Sequence, residues 1–168
     1  MATYRFKDDG VGYPAGFGLS GCFSREVNVP DIIANQTLAD TDNVTATLAA
    51  TGFATSDILQ VFLVPEGFAL RYVAVNVKTA NTATADLDIG CLTAAQTLGG
   101  GSSADDFMGT CALQTATWKQ NLIADTLLGG STYEGAIYIT DGSIDITFNT
   151  AAVLQAIFNV YCCGYRLK

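Results

Sequence analysis

The strongest constraint on the fold is a set of short segments in which apolar and polar residues alternate with a period of two. Residues 143–148 read Ser-Ile-Asp-Ile-Thr-Phe, and residues 84–90 alternate in the same way. Because successive side chains of a β-strand point to opposite sides, such segments predict strands with one buried face. Turn signals interrupt them about every 8–12 residues, which is typical of sandwiches and jelly rolls. We therefore expect an all-β protein, an antiparallel β-sandwich or jelly roll with an extended N-terminal arm.

The clearest pair of strands lies in the middle of the chain. Residues 58–64 form a short apolar strand, and Pro65-Glu66-Gly67 follows with turn chemistry. In the next segment, 68–78, Val73, Val75 and Val77 fall on one face, and Tyr72, Asn76 and Lys78 fall on the other. The two segments are either a β-hairpin or two sandwich strands that meet at a corner.

The C-terminal third is also predicted to be β. Residues 135–140 run into Asp141-Gly142, a dipeptide that favours hairpin turns, and the alternating segment 143–148 follows. Residues 154–167 predict a long final strand. Residues 114–128, around Trp118, have some helical spacing and are the one plausible short helix.

The length of 168 residues fits a single domain with an appendage. Residues 1–30 are rich in glycine and aromatic residues, and Pro14 and Pro30 disfavour a helix there. We expect an extended arm over 1–30 and a β-sandwich domain over 31–168. The arm cannot form its own core, so its apolar side chains are expected to contact the body or a neighbouring subunit. The expected contact residues are Tyr13, Phe17, Leu19 and Phe23.

Composition and charge narrow the possible partners. Charged residues make up 14% of the chain, against about a quarter in a typical soluble domain, so part of the surface is expected to be covered by neighbours. The net charge of -8 and the lack of a basic cluster disfavour a nucleic-acid partner. The chain has no apolar run of about 18 residues, so we expect no membrane partner. The first residues show no signal peptide or lipidation motif, which predicts synthesis in a cytoplasm.

The chain contains no histidine. This removes Ser–His and Cys–His nucleophile pairs, most catalytic zinc sites and the commonest general base. Asp86 and Asp88 share the outer face of one predicted strand and are interpreted as solvated residues rather than as a catalytic pair. No phosphate-binding loop or calcium motif is present. We therefore expect no enzymatic activity, no catalytic residue, no cofactor and no metal.

Five cysteines are present: Cys22, Cys91, Cys111, Cys162 and Cys163. They form no C-x-x-C pair, and each is best interpreted as a small buried hydrophobe. Alternatively, some form disulfides after release into an oxidising exterior. Cys22 is then the best candidate for a bond to another subunit. Cys162 and Cys163 are adjacent in a predicted strand, so their side chains should point to opposite faces.

A family resemblance appears over residues 55–168. An apolar strand leads into Val64-Pro65-Glu66-Gly67-Phe68, a valine-rich strand follows at 73–77, and Asp86-Leu87-Asp88-Ile89-Gly90 comes after it. This order resembles the small jelly-roll capsid decoration (cement) proteins of tailed bacteriophages. The resemblance implies a virion protein on the capsid surface, commonly a homotrimer. It also implies that the protein binds the major capsid protein and stabilises capsomer contacts.

Two other functions remain open. The chain could be another virion β-sandwich component, of the tail tube, neck or fibre, and rings or hexamers would favour that hypothesis. It could also be a carbohydrate-binding receptor module, for which the aromatic candidates are Trp118, Tyr133 and Tyr138.

Overall fold

The computed structural model describes residues 1–6, 21–40, 44–91, 107–122 and 136–166. Within these ranges the chain forms eleven strands and one short helix. The elements are β1 (Thr3–Phe6), β2 (Gly21–Asn28), α1 (Val29–Asn35), β3 (Leu38–Ala39), β4 (Ile58–Val64), β5 (Phe68–Thr79), β6 (Asp86–Gly90), β7 (Met108–Ala112), β8 (Trp118–Leu122), β9 (Ala136–Ile137), β10 (Gly142–Asn149) and β11 (Ile157–Arg166).

The strands form two sheets. Sheet A has the order β3-β1-β4-β10-β6-β7, and sheet B has the order β2-β11-β5-β8, with β9 also paired to β5. Every pairing is antiparallel except that of β1 with β4. The predicted all-β sandwich is therefore confirmed.

The core lies between the two sheets, and the alternating segments place their apolar sides there. Val73, Val75 and Val77 of β5 are buried, as are Leu87 and Ile89 of β6. The predicted inward faces of both strands are therefore confirmed.

Two turns connect sheet A to sheet B and do not form hairpins within one sheet. β4 belongs to sheet A and β5 to sheet B, so Pro65-Glu66-Gly67 forms a sandwich corner, which was one of the two predicted alternatives. Gly67 has a φ of 79° there, a conformation that favours glycine. The hairpin predicted at Asp141-Gly142 is wrong, because β9 pairs with β5 while β10 pairs with β4 and β6. Asp141 instead accepts a hydrogen bond from the backbone of Glu66 (2.9 Å) and holds the two connections together.

The helix predicted around Trp118 is wrong over the described part of that segment. Trp118–Leu122 is strand β8, which pairs with β5 over five residues. Lys119 of β8 donates hydrogen bonds to the backbone carbonyls of Gly109 and Thr110, both within β7 of sheet A. The pairing with β5 in sheet B and the hydrogen bonds of Lys119 to sheet A stabilise the strand more than the weak local preference stabilises a helix.

The one described helix follows directly after β2. Asn28 caps it by accepting a hydrogen bond from the backbone N–H of Asp31 (3.2 Å). Pro30 lies in the first turn, where a missing N–H costs nothing, so this proline starts a helix instead of preventing one. No helix in the described ranges is long and apolar enough to cross a membrane.

Residues 3–6 and 21–28 of the expected arm belong to the sheets. β1 lies between β3 and β4 in sheet A, and β2 pairs with β11 in sheet B. Ala2 is fixed by a hydrogen bond from its N–H to the buried carboxylate of Asp57 (2.8 Å). The remaining residues of the expected arm lie outside the described ranges, so the division into an arm and a body stays a prediction.

Candidate interaction surface

The outer face of sheet B carries a cluster of aromatic and amide side chains. Since alternate residues of β5 point into the core, the residues between them point outward. The strand register places Trp118 opposite Asn76, and Tyr161 and Gln120 on either side of Ala74. We call the surface formed by Tyr72, Trp118, Gln120, Asn159 and Tyr161 the aromatic face.

The side chains of the aromatic face contact one another. The rings of Trp118 and Tyr161 lie 5.2 Å apart between centroids with an interplanar angle of 49°. The Oε1 atom of Gln120 accepts hydrogen bonds from Trp118 Nε1 (3.1 Å) and from the Tyr72 hydroxyl (3.0 Å). One amide therefore orients two aromatic rings, so the surface is ordered before any partner arrives.

Asn159 supports the same surface from β11. Its Nδ2 atom donates to the Tyr161 hydroxyl (3.1 Å). Its Oδ1 atom is buried and has no hydrogen-bond partner among the described residues.

The aromatic face is uncharged. Lys78 and Glu26 lie at its border and form an ion pair of 2.7 Å. Trp118 is 49% exposed, although large aromatic side chains are usually well covered. A partner can therefore cover this surface and bury aromatic area without stripping water from an unpaired charge.

A disulfide joins two strands beside the aromatic face. Cys22 of β2 lies opposite Cys163 of β11 in register, and their sulfur atoms are bonded. The expectation that Cys22 bonds another subunit is therefore wrong, because antiparallel pairing brings a partner from the same chain opposite it. Cys163 is in turn opposite Tyr72 of β5, so the bond lies at one end of the aromatic face.

The other three cysteines are buried in the core: Cys91, Cys111 and Cys162. Burial raises the pKa of Cys111 to about 11, and the pKa of Cys162 is raised further by the same cause. Cys162 points inward while Cys163 points outward, which confirms the predicted division of the adjacent pair. The interpretation as small buried hydrophobes holds for these three residues and not for Cys22 and Cys163.

Of the four expected contact residues in the arm, the structure describes Phe23. It lies half-buried on β2 and faces Phe68, with 6.2 Å between ring centroids. Its neighbour Arg25 lies over the ring of Phe6 at 4.5 Å, which ties β2 of sheet B to β1 of sheet A. Tyr13, Phe17 and Leu19 lie outside the described residues, and their contact role stays a prediction.

Two of the three aromatic candidates for sugar binding, Trp118 and Tyr138, lie in the described part of the chain and differ in exposure. Tyr138 is fully buried and donates its hydroxyl hydrogen to the carbonyl of Ser143 (2.8 Å), so it is a core residue. Tyr133 lies outside the described residues. Of the two described candidates only Trp118 is exposed, and the sequence did not single out its neighbours Tyr72 and Tyr161 as binding residues. The alternation of β5 placed Tyr72 outward, but only the cross-strand register brings it close to Trp118 through Gln120.

The paired carboxylates of β6 are held by the chain itself. Asp86 accepts a hydrogen bond from the Thr150 hydroxyl (3.0 Å). Asp88 accepts hydrogen bonds from the Asn149 amide (2.6 Å) and from the backbone of Thr110 (2.6 Å). In the part of the chain that the structure describes, no three acidic, cysteine or histidine side chains form a group that could hold a metal ion.

The fold and this surface define the protein as a two-sheet β-sandwich with one uncharged, aromatic outer face. No protein-family model matches the sequence, and no curated protein matches it either. Among solved structures, a chain in the capsid of Ralstonia phage GP4 is similar, with a TM-score of 0.56, 12% identity and coverage of 99% of both chains. A chain of the cyanophage Pam1 capsid asymmetric unit has a TM-score of 0.51 and 15% identity, with coverage of 93% of this chain and 91% of that one. At such identities the comparisons show a shared fold.

Proposed function

We propose that the chain is a structural, non-enzymatic component of a bacteriophage capsid, and specifically a decoration (cement) protein on the capsid exterior. The observation that carries this proposal is the shared fold with chains of two phage capsids over almost their whole length.

The aromatic face supplies the contact surface in this proposal. Tyrosine and tryptophan are enriched at the energetic centres of protein interfaces, and charged residues are depleted there. Trp118, Tyr161 and Tyr72 fit that pattern, since their rings are already oriented and lose little freedom on binding. The major capsid protein is the proposed partner, and a homotrimer is the proposed assembly.

The test uses particles of the phage that encodes the chain, prepared so that they lack this protein. Purified protein should sediment with such particles and raise the temperature at which they release DNA. Trp118→Ala should weaken this binding while leaving the melting temperature of the free protein nearly unchanged. Val44→Ala is the matched control, because Val44 is 61% exposed and lies beside β3 of sheet A, whereas the aromatic face is on sheet B. It should bind as the unaltered protein does.

The same experiment separates the alternative virion positions. Cryo-electron microscopy of the decorated particles should show density on the outer surface of the shell, and light scattering of the free protein should give the mass of a trimer. Density in the tail, neck or fibre, or ring-shaped oligomers, would move the protein to another virion position. Absence from the particles would overturn the capsid proposal altogether.

A carbohydrate-binding module is the second candidate function, because an exposed tryptophan beside a tyrosine and two amides also suits a sugar ring. Glycan-array binding by the isolated protein that disappears in Trp118→Ala would favour it. Capsid binding without glycan binding would favour the decoration role.

A further inference from the structure

We propose that the Cys22–Cys163 disulfide is a redox-controlled latch that holds the N-terminal half of β2 on sheet B. In this proposal reduction frees that half of the strand while the rest of the sandwich stays folded.

The two halves of β2 are attached differently. At the C-terminal end Val27 is fully buried, and the chain continues into α1, where Val29 donates a backbone hydrogen bond to Ala156 (3.1 Å). Toward the N-terminus, Cys22 and Ser24 are exposed, and only Phe23 and Arg25 pack inward, each half-buried. The disulfide therefore lies at the end of the strand that has the weaker packing, where fraying begins.

The exposure of each cysteine determines whether it can react with an oxidant in solution. Cys22 is exposed and Cys163 is partly exposed, whereas Cys91, Cys111 and Cys162 are buried. The thiolate is the nucleophile in disulfide exchange, and a buried thiol with a raised pKa supplies almost none of it at neutral pH. An oxidant in solution therefore forms the Cys22–Cys163 bond without mispairing, even though Cys162 is adjacent to Cys163 in sequence.

The oxidant is a small-molecule disulfide such as oxidised glutathione. The Cys22 thiolate attacks one sulfur of that disulfide and releases one glutathione thiolate. The Cys163 thiolate then attacks the Cys22 sulfur of the mixed disulfide and releases the second. The protein loses two electrons and two protons, and one glutathione disulfide becomes two glutathione thiols. Excess reduced thiol reverses both steps, so a reducing cytoplasm opens the latch and an oxidising exterior closes it.

Hydrogen exchange of the purified full-length chain, with and without a phosphine reductant, tests the latch. Reduction should speed exchange at residues 21–25 roughly tenfold or more, while residues 142–149 of β10 stay unchanged. Iodoacetamide added to the folded, reduced chain should modify Cys22 and Cys163 and no other cysteine. Cys22→Ser should exchange quickly at 21–25 with or without reductant, and Cys111→Ala should keep the redox response.

Reduction of the unaltered protein needs no mutation, so the test does not depend on how well a variant folds. Equal protection of residues 21–25 in both redox states would overturn the proposal. Faster exchange in β10 as well would also overturn it, because the bond would then stabilise the whole fold and not one strand. A reducible dimer on a non-reducing gel would show that Cys22 bonds a second subunit instead.

Discussion

Gly21 and Gly164 lie opposite each other in the β2–β11 ladder, but only Gly21 has room for a side chain. A Cβ atom on Gly164 would collide with the backbone carbonyl of Ala69 and come within 2.7 Å of the Phe68 ring, next to a register shift between β11 and β5. The same atom on Gly21 would meet nothing closer than 3.6 Å. The close approach of β11 to β5 thus depends on glycine at one of the two positions.

Gly164→Ala should therefore lower the free energy of unfolding by about 1–3 kcal/mol, because backbone and ring must shift to admit one methyl group. Gly21→Ala is the matched control in the same ladder and should stay within about 0.5 kcal/mol of the unaltered chain. Urea denaturation of the two variants measures both values. Equal stability of the two variants would contradict the packing at Gly164.

Asp57 connects β1 to the rest of sheet A. Its buried carboxylate accepts hydrogen bonds from the backbone N–H groups of Ala2 (2.8 Å) and Ala54 (3.0 Å). Asp57→Ala leaves both donors without this partner, so we expect a loss of about 2–3 kcal/mol in unfolding free energy. Exchange at residues 3–6 should rise as well. Glu66→Ala removes an exposed carboxylate and should have almost no effect on either measurement.

Asn81 joins two segments of the chain, residues 81–83 and 152–155, through one buried amide. Its Oδ1 atom accepts backbone hydrogen bonds from Leu154 (3.1 Å) and Gln155 (3.2 Å), and its Nδ2 atom donates to the carbonyls of Ala83 and Ala152 (both 3.1 Å). Asn81→Ala should cost about 3 kcal/mol, since several backbone groups lose their partner at once. Gln155→Ala keeps the backbone N–H and removes only an exposed side chain. Its melting temperature should therefore be close to that of the unaltered protein. A mild Asn81→Ala effect would show that water replaces the amide.

The ionisation of Cys111 makes the stability of the protein fall as the pH becomes alkaline. Burial raises the pKa of its thiol from 9.0 to about 11, so the folded chain keeps this proton after the unfolded chain has lost it. Between these values the folded state binds more protons, and stability must fall as the pH rises, by at most about 1.4 kcal/mol per pH unit. Cys111→Ala should flatten part of that decline.

Denaturation of the unaltered protein and of Cys111→Ala at pH 7, 9 and 10.5 isolates the contribution of this thiol. At pH 7 neither protein carries a charge at position 111. The difference in stability between the two proteins should begin to shrink as the pH approaches 9.0 and should be clearly smaller at pH 10.5 than at pH 7. A constant difference up to pH 10.5 would contradict the raised pKa.

Local sequence patterns predicted the strands well where one face is buried. Val73, Val75 and Val77 had to share a side because neighbouring strand residues alternate, and this holds whatever the partner strand is. The opposite orientations of Cys162 and Cys163 follow from the same geometry. Trp118 shows the limit of this reasoning, because its segment has helical spacing but residues 118–122 form a strand that pairs with β5.

The sequence by itself therefore determined the all-β class, the positions of most strands and the side of each strand that is buried, because these properties depend on residues one or two positions apart. Only the tertiary structure decided which sheet each strand joins, that Asp141-Gly142 connects two sheets, and that Cys22 meets Cys163 across 141 positions of sequence. It alone also assembled the aromatic face from three strands. These features depend on strand order and register, which are set by packing between distant segments and not by the order of neighbouring residues.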